Sequence, residues 1–349
     1  VAEGRPRDAI DGLSYREGGR IVHNRERALL EDMDQLPFVV DVYKRDLRIE
    51  DYFIGWMRHP YVSIYTGRGC KSRCTFCLWP QTIGGHRYRV RSPEHVAEEI
   101  AVAKRHFPQV KEFFFDDDTF TDNLANAEAV ARLLGPLDVT WSCNAKANVP
   151  YETLKILKDN GLRLFVVGYE SGNQQILHNI KKGMLVTRAR EFTEDCHRLG
   201  IQIHGTFIVG LPVETRETIQ ETIRFAKEMN PHTLQVSLPA AYPGTFLYEQ
   251  AKKEGWLRDD SGELVADDGF QVTSIEYPHL SRDEIFGAVE QFYRKFYFRP
   301  SKIASIMSEM LRDWDVMKRR LREGVEFVQF LHSRHERGGA DSGARPSSG

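Results

Sequence analysis

The sequence has few cysteines, no long apolar run and almost no net charge, and each shortage excludes a class of protein. Five cysteines in 349 residues are too few for a disulfide-stapled secreted scaffold, and their number is odd. No uninterrupted apolar run approaches the roughly 20 residues of a membrane-spanning helix. A formal net charge of −2 argues against broad electrostatic binding of nucleic acid. What remains is a globular chain, because 41% hydrophobic residues exclude disorder as its main state.

Short apolar runs alternate with amphipathic helical patterns over residues 61–239. The runs predict six strands, at 61–66, 112–115, 139–143, 163–169, 201–209 and 233–238. Ser92-Pro93 predicts the start of the first intervening helix. Six βα repeats with short links predict an α/β fold with a parallel sheet, either an open doubly wound sheet or a partial barrel. In both arrangements functional side chains gather at the C-terminal ends of the strands.

The strongest chemical signal is a group of three cysteines directly after the first predicted strand. Cys70, Cys74 and Cys77 have the spacing C-x3-C-x2-C, and Gly67 and Gly69 let the backbone curl beside them. Three thiolates on one loop can ligate three irons of a [4Fe–4S] cluster, which leaves the fourth iron open for a substrate or cofactor.

Two alternatives to a cluster stay open for these cysteines. A structural zinc ion needs a fourth ligand, which would have to be His86 or His59. Chance clustering is the second. The isolated Cys143 and Cys196 lie on a predicted strand and a predicted apolar helix stripe, where core packing is expected.

With this motif and repeat count, residues 60–245 resemble the radical S-adenosylmethionine (radical SAM) enzymes. The resemblance implies a partial (β/α)6 TIM-like barrel of the radical SAM type, followed here by a mostly helical C-terminal extension. It implies that Cys70, Cys74 and Cys77 hold a [4Fe–4S] cluster whose open iron chelates S-adenosyl-L-methionine (SAM). Electron transfer then cleaves SAM to a 5′-deoxyadenosyl radical, which abstracts a hydrogen from the substrate. Phe76 occupies the position that lies near the adenine in this family.

The resemblance also implies SAM contacts at the other strand ends. Asp117 and Asp118 follow the second strand, where the family holds the methionine amino group; turn or capping roles are the alternative. Glu170 and Ser171 match the family's ribose or amino-acid contact after the fourth strand, and a carboxylate ending a buried strand needs a partner.

For two further residues, either a cofactor contact or a purely structural role is predicted. Asn144 ends the third strand, where either a cofactor contact or a structural role is expected. Gly210 lies in the fifth-strand segment 205–215, where it could admit the adenine close to the backbone or turn the chain.

A closer resemblance is carried by residues 65–89, which include Gly-Cys-Lys-Ser-Arg-Cys-Thr-Phe-Cys-Leu-Trp-Pro-Gln, and by residues 42–47. These segments look like the hopanoid-biosynthesis-associated radical SAM proteins that form the cyclitol ether of bacteriohopanetetrol. That resemblance implies a cytoplasmic enzyme, peripheral at the inner membrane, which acts on the sugar-bearing side chain of a hopanoid lipid by ring contraction. A reduced donor such as flavodoxin or ferredoxin supplies electrons.

Members of that family commonly carry a preceding cobalamin-binding domain, and this sequence contains no Asp-x-His-x-x-Gly cobalamin motif. The alternative is therefore a cobalamin-dependent radical SAM methyltransferase acting on another substrate. A non-catalytic, zinc-stabilised binding module is a more distant alternative.

Composition predicts four parts of the chain. Residues 1–58 form a hairpin and a connector from a missing N-terminal domain, since the chain begins with Val rather than Met. Residues 59–245 form the radical SAM core, 246–335 a helical extension and 336–349 a disordered tail. The apolar stripe at 303–321 has basic neighbours, which predicts either a helix lying on a membrane surface or an ordinary helix covering the barrel.

Overall fold

The computed structural model describes residues 4–257 and 273–312, together with the single positions 317 and 324. Its contacts divide the chain into two compact units, Val1–Pro37 and Phe38–Gly349. The division therefore falls earlier than the predicted boundary at residue 58. Helix α1 (Val39–Asp46) lies in the larger unit, and its Val40 backbone N–H donates to Glu99, 3.3 Å away. The predicted tail at 336–349 lies outside the described residues.

The first unit contains the predicted hairpin. Strands β1 (Ser14–Glu17) and β2 (Arg20–His23) pair in antiparallel fashion. Gly18 and Gly19 make the turn with φ values of 53° and 80°, a backbone region in which glycine has no steric penalty.

The second unit is built on one six-stranded parallel sheet. The strands of this unit are β3 (Tyr61–Ile64), β4 (Gly67–Arg68), β5 (Arg89–Val90), β6 (Glu112–Phe115), β7 (Trp141–Ala145), β8 (Leu162–Glu170), β9 (Gln202–Ile208) and β10 (Thr233–Ser237). β4 and β5 form a separate antiparallel pair, and the others lie in the order β10-β9-β8-β7-β6-β3. Spatial order thus follows chain order without a reversal. A doubly wound sheet reverses at a switch point, so the partial barrel is confirmed and the open sheet is excluded.

Ten α-helices accompany the described strands. They are α1 (Val39–Asp46), α2 (Pro93–His106), α3 (Leu124–Leu134), α4 (Tyr151–Asp159), α5 (Gln174–Asn179), α6 (Val186–Arg198), α7 (Arg216–Met229), α8 (Phe246–Lys253), α9 (Arg282–Tyr297) and α10 (Pro300–Arg312). Ser92 caps α2 as predicted, since its side chain accepts from the His95 backbone N–H at 3.2 Å.

The main core lies between the sheet and the helices. Phe115 stacks on Phe120 at 5.3 Å between ring centroids, and Phe207 packs on Phe292 of α9 at 5.2 Å. Cys143 and Cys196 are fully buried in this core, in agreement with the prediction that they serve packing. Because side chains alternate along a strand, the neighbours of these core residues face the interior of the barrel.

Helix α9 covers the β10 edge of the sheet, in agreement with the predicted helical extension. Strands β10 and β3 are the two edge strands, and the β10 backbone N–H groups that face away from β9 would otherwise lack partners. The hydroxyls of Tyr297 and Tyr293 on α9 accept from the N–H groups of Leu234 and Val236, at 3.0 and 2.9 Å. Helix α9 therefore closes the edge through side chains.

Within the described ranges, every helix is too short or too polar to cross a membrane. Helix α10 contains the first part of the predicted basic and apolar stripe. Most of the stripe beyond residue 312 lies outside the described residues.

Candidate functional site

The three cysteines of the motif lie on one loop beyond the C-terminal end of β3. Cys70 and Cys74 are 7% and 8% exposed, Cys77 is half-buried, and none of the three forms a disulfide. Gly69 sets the start of the loop with a φ of 92°, and a Cβ there would lie 2.2 Å from the Arg87 carbonyl oxygen. Only glycine fits that conformation and that close approach.

Backbone and side-chain hydrogen bonds hold this cysteine loop against the barrel. The Gln81 amide donates to the carbonyls of Cys74 and Cys77, at 3.2 and 2.7 Å. Its oxygen accepts from the Phe246 backbone N–H at the start of α8, at 2.9 Å. The Thr75 N–H donates to the Ile180 carbonyl after α5, at 3.0 Å. These contacts fix the loop to the C-terminal side of the barrel.

The thiols are placed where a cationic centre would stabilise their ionised form. Burial raises the pKa of the Cys74 thiol, although the nearby Lys182 ammonium opposes that rise. Burial also raises the pKa of Cys77 to about 12. Thiolates in such a site need a compensating positive charge, and iron coordination supplies one. The donor set of three thiols on one loop therefore fits an iron–sulfur cluster.

A single zinc ion fits this arrangement less well. Among the residues that the structure describes, no three His, Cys, Asp or Glu side chains meet so as to hold one metal ion. His59 precedes β3 whereas Cys70 follows it, so the two lie at opposite ends of that strand. The other proposed fourth ligand, His86, has its Nδ1 atom 2.9 Å from the Ser72 carbonyl oxygen. A cubane differs because its sulfur ligands bind separate irons.

Asp117 and Asp118, the predicted SAM contacts after β6, hold the loop in this structure. Asp117 is fully buried, and it accepts from the Thr66 backbone N–H at 2.6 Å and from the Tyr88 hydroxyl at 2.5 Å. Burial raises its pKa to about 6. Asp118 accepts from the Gly69 N–H at 2.8 Å, next to Cys70. Both carboxylates position the loop, and a contact of either with SAM stays a prediction.

Asn144 joins these carboxylates from the end of β7. Its amide nitrogen donates to the Asp117 carbonyl at 2.8 Å and lies 3.5 Å from Asp116 Oδ1. Just beyond the end of β7, Lys146 forms an ion pair with Asp122, whose other oxygen accepts from the Lys71 N–H at 2.9 Å. The ends of β6 and β7 are therefore tied directly to the cysteine loop.

Glu170 has the charge partner that a buried carboxylate at a strand end requires. It is 6% exposed, and the Lys182 ammonium lies 2.7 Å from its Oε1 atom. A Cβ on Gly168 would lie 2.4 Å from the same oxygen, so glycine at that position makes room for the pair. Although burial opposes it, the charges of Glu170 and Cys74 raise the pKa of Lys182. The pair places one positive and one negative charge beside the cysteine loop.

Ser171 and Gly210 have structural partners at their predicted positions. The Ser171 hydroxyl is fully buried and lies 3.0 Å from the Thr222 hydroxyl on α7. Gly210 turns the chain with a φ of 97°, and a Cβ there would lie 2.8 Å from Ile285 of α9. These contacts give each residue a packing role, and their predicted contact with the cofactor stays a prediction. Phe76 is half-buried and packs against the core.

Several residues of the site were not singled out by the sequence. Lys182 follows α5 in a Lys-Lys-Gly run, which signals a helix end but does not indicate its partner Glu170. Glu214 is fully buried, and it accepts from the N–H groups of Gly210 and Leu211 at 2.6 and 3.2 Å. The signal that could have found Glu214 was its place three residues after Leu211 in the 205–215 segment.

Part of the chain matches a known protein family. Residues 64–226 match the family described as the radical SAM superfamily. An uncharacterised methyltransferase of Pyrococcus horikoshii is 29% identical over 86% of this chain and 64% of its own length. Bacteriochlorophyllide d C-8(2)-methyltransferase of Chlorobaculum tepidum is 26% identical over 71% of this chain and 59% of its own length. This chain thus spans roughly three fifths of the length of these two relatives.

Solved structures show the same fold. The radical S-adenosylmethionine methyltransferase TsrM from Kitasatospora setae, bound to tryptophan and a SAM analogue, superposes with a TM-score of 0.66. It is 17% identical, and the match covers 86% of this chain and 64% of that one. The family match over residues 64–226, the cysteine loop and the strand order agree, and together they indicate an enzyme with the fold of the radical SAM superfamily.

Proposed function

We propose that this protein is a radical SAM enzyme that remodels the sugar-bearing side chain of a hopanoid lipid, forming a cyclitol ether by ring contraction. The observation that carries the radical SAM part is the placement of three free thiols on one loop, beyond the first strand of the barrel. The hopanoid part is supported by the resemblance of residues 42–47 and 65–89 to that family.

In this proposal Cys70, Cys74 and Cys77 hold the [4Fe–4S] cluster and leave one iron without a protein ligand. When bound, the cluster and SAM supply a 5′-deoxyadenosyl radical that abstracts a hydrogen atom from the substrate. Asp118 and Gln81 keep the loop in place through the Gly69 N–H and the Cys74 and Cys77 carbonyls. A reduced flavodoxin or ferredoxin is the proposed electron donor.

The remaining residues of the predicted site bind and orient SAM. The amino-acid end of SAM carries one ammonium and one carboxylate group, which suits the Lys182–Glu170 pair next to Cys74. Phe76 and Gly210 are proposed to border the adenine, and Asn144, Asp117, Asp118 and Ser171 complete or support the pocket. Burial of these groups excludes water, which strengthens each polar contact.

A cobalamin-dependent radical SAM methyltransferase is the second candidate function. Two relatives are methyltransferases by name, and one TsrM structure is described with cobalamin and a [4Fe–4S] cluster bound. In either case we propose that a cobalamin-binding domain precedes this segment, that 59–245 is the catalytic core and that the enzyme works in the cytoplasm. Contact with the inner membrane through the region after residue 300 belongs to the hopanoid proposal.

The test is anaerobic reconstitution with iron, sulfide, SAM and a strong one-electron reductant, in the presence of a bacteriohopanetetrol glycoside. We expect 5′-deoxyadenosine and a rearranged, unmethylated lipid by mass spectrometry. Cys74→Ala should abolish both, and Cys196→Ala is the matched control because that thiol lies in the core far along the chain from the motif. A methylated product that requires cobalamin would favour the second function. Unchanged 5′-deoxyadenosine in Cys74→Ala would contradict both.

A further inference from the structure

Three polar side chains that are not cluster ligands share one row on the inner face of the sheet. Ile64 lies opposite Phe115, and Phe115 lies opposite Cys143. The residues that follow these three along their strands are Tyr65, Asp116 and Asn144. They lie at the C-terminal ends of β3, β6 and β7. Phe115 and Cys143 are in the core between sheet and helices. Because side chains alternate, Asp116 and Asn144 face the barrel interior.

Asp116 has the longest hydrogen-bond contacts of the three consecutive aspartates. Its oxygens have two long contacts, 3.3 Å to the Tyr65 hydroxyl and 3.5 Å to the Asn144 amide nitrogen. Asp117 accepts hydrogen bonds of 2.5 and 2.6 Å from the loop and is fully buried. A carboxylate offers about four acceptor positions. Asp116 is half-buried, so it keeps room for a further donor on the interior side.

The side chains of the described sheet rows beside Asp116 are mainly neutral, although the Asp118 carboxylate also acts on it. The same row continues through Val166, His204 and Thr233. Burial lowers the pKa of His204 to about 4, so its imidazole is uncharged at neutral pH. The row above contains Thr206 and Gln235. The Arg68 guanidinium acts electrostatically on Asp116, and it stacks 3.4 Å from the centre of the Tyr65 ring.

We propose that Asp116, flanked by Tyr65 and Asn144, binds a hydroxyl group of the substrate inside the barrel. This inference rests on the proposed radical SAM function and specifies how its substrate is held. A hydroxyl donates to the carboxylate and can accept from the Asn144 amide or the Tyr65 hydroxyl, so all three groups are used. The neutral side chains of the neighbouring rows suit further hydroxyls of a sugar or polyol better than an anionic group.

The experiment measures binding without turnover. Reconstituted, SAM-loaded protein is titrated with methyl β-glucopyranoside, which is the probe for a sugar hydroxyl. Binding is followed by tryptophan fluorescence, because the Trp56 ring stacks on the ring of His204, a member of the same row, with 5.1 Å between the ring centroids. We expect saturable binding by the unsubstituted protein, at least ten-fold weaker binding by Asp116→Asn and about three-fold weaker binding by Tyr65→Phe. Asp195→Asn, an aspartate of similar burial on the outer helix α6, should bind as the unsubstituted protein does.

Iron content and SAM affinity of each variant show whether the fold and the cofactor site are intact. The proposal is overturned if the unsubstituted protein does not bind the glucoside, or if Asp116→Asn binds it equally well. It is also overturned if Asp116→Asn loses SAM affinity, since Asp116 would then belong to the cofactor site, or if 2-aminoethanol binds and the glucoside does not. Failure to form 5′-deoxyadenosine would count against the proposed function instead, because these titrations need no turnover.

Discussion

Glu214 shows how a single buried carboxyl group couples this fold to pH. It is fully buried after β9, and its Oε2 atom accepts from the Gly210 and Leu211 N–H groups. Its Oε1 atom has no hydrogen-bond partner in the described part of the chain. Burial raises the pKa of Glu214 from an ordinary value of 4.5 to about 7. The folded protein therefore prefers the protonated, neutral form.

The raised pKa predicts a loss of stability on the alkaline side. A folded-state pKa above the unfolded value means that the native state binds the proton more tightly. The stabilisation of the folded state by this proton is complete below pH 4.5 and is lost as pH rises through about 7. The difference between the folded and unfolded pKa values of Glu214 corresponds to about 3 kcal/mol of unfolding free energy. Glu214→Gln cannot ionise, so its free energy of unfolding should fall less between pH 5 and pH 8, as measured by denaturant titration. The exposed Glu254→Gln is the control, and parallel curves for Glu214→Gln and the unsubstituted protein would contradict this assignment.

At the scale of elements, the short pair β4–β5 sets the shape of the cysteine loop. Gly69 directly follows β4, and its positive φ directs the chain past the Arg87 carbonyl, close to β5. A methyl group there would collide with backbone, which cannot move away without separating β4 from β5. The loop conformation thus depends on a glycine that the cysteine spacing does not include.

Gly69→Ala should therefore lose most of its iron and sulfide after anaerobic reconstitution. Gly183→Ala is the matched control, because Gly183 also has a positive φ, of 67°, but no atom within 4 Å of the added Cβ. It should lose only about 1 kcal/mol of stability through backbone strain and retain its iron. Iron and sulfide analysis beside thermal melting separates the two effects. Full iron content in Gly69→Ala would show that the loop tolerates the methyl group.

At the scale of the whole molecule, the two compact units predict that the second folds and binds its cluster alone. The core, the cysteine loop and all six parallel strands lie in the unit that begins at Phe38. A chain of residues 38–349 should keep the iron content of the full chain and melt within a few degrees of it. A chain beginning at residue 59 is the comparison; it lacks α1 and the Val40 contact to Glu99, and should be less stable. Loss of iron from the 38–349 chain would contradict this division.

The sequence by itself determined the alternation of strands and helices and the three thiols. Both are local patterns: apolar periodicity reports which residues of one segment are buried, and cysteine spacing reports which thiols share a loop. The strand boundaries differ from the predicted ones by a few residues. Strand β7, for example, is Trp141–Ala145, whereas the sequence predicts a strand at 139–143. Strand ends depend on pairing with neighbours, which no single segment contains.

Only the tertiary structure decided the roles of the acidic residues. Asp116, Asp117 and Asp118 are adjacent and alike in sequence, yet sheet register turns Asp116 towards the interior and the other two towards the cysteine loop. The ion-pair partner of Glu170 is Lys182, which lies twelve residues later in the sequence. Helix α5 lies between them and returns the chain to the end of β8. Charge pairing and burial depend on which segments meet in space, and that is set by strand order and packing, not by any local pattern.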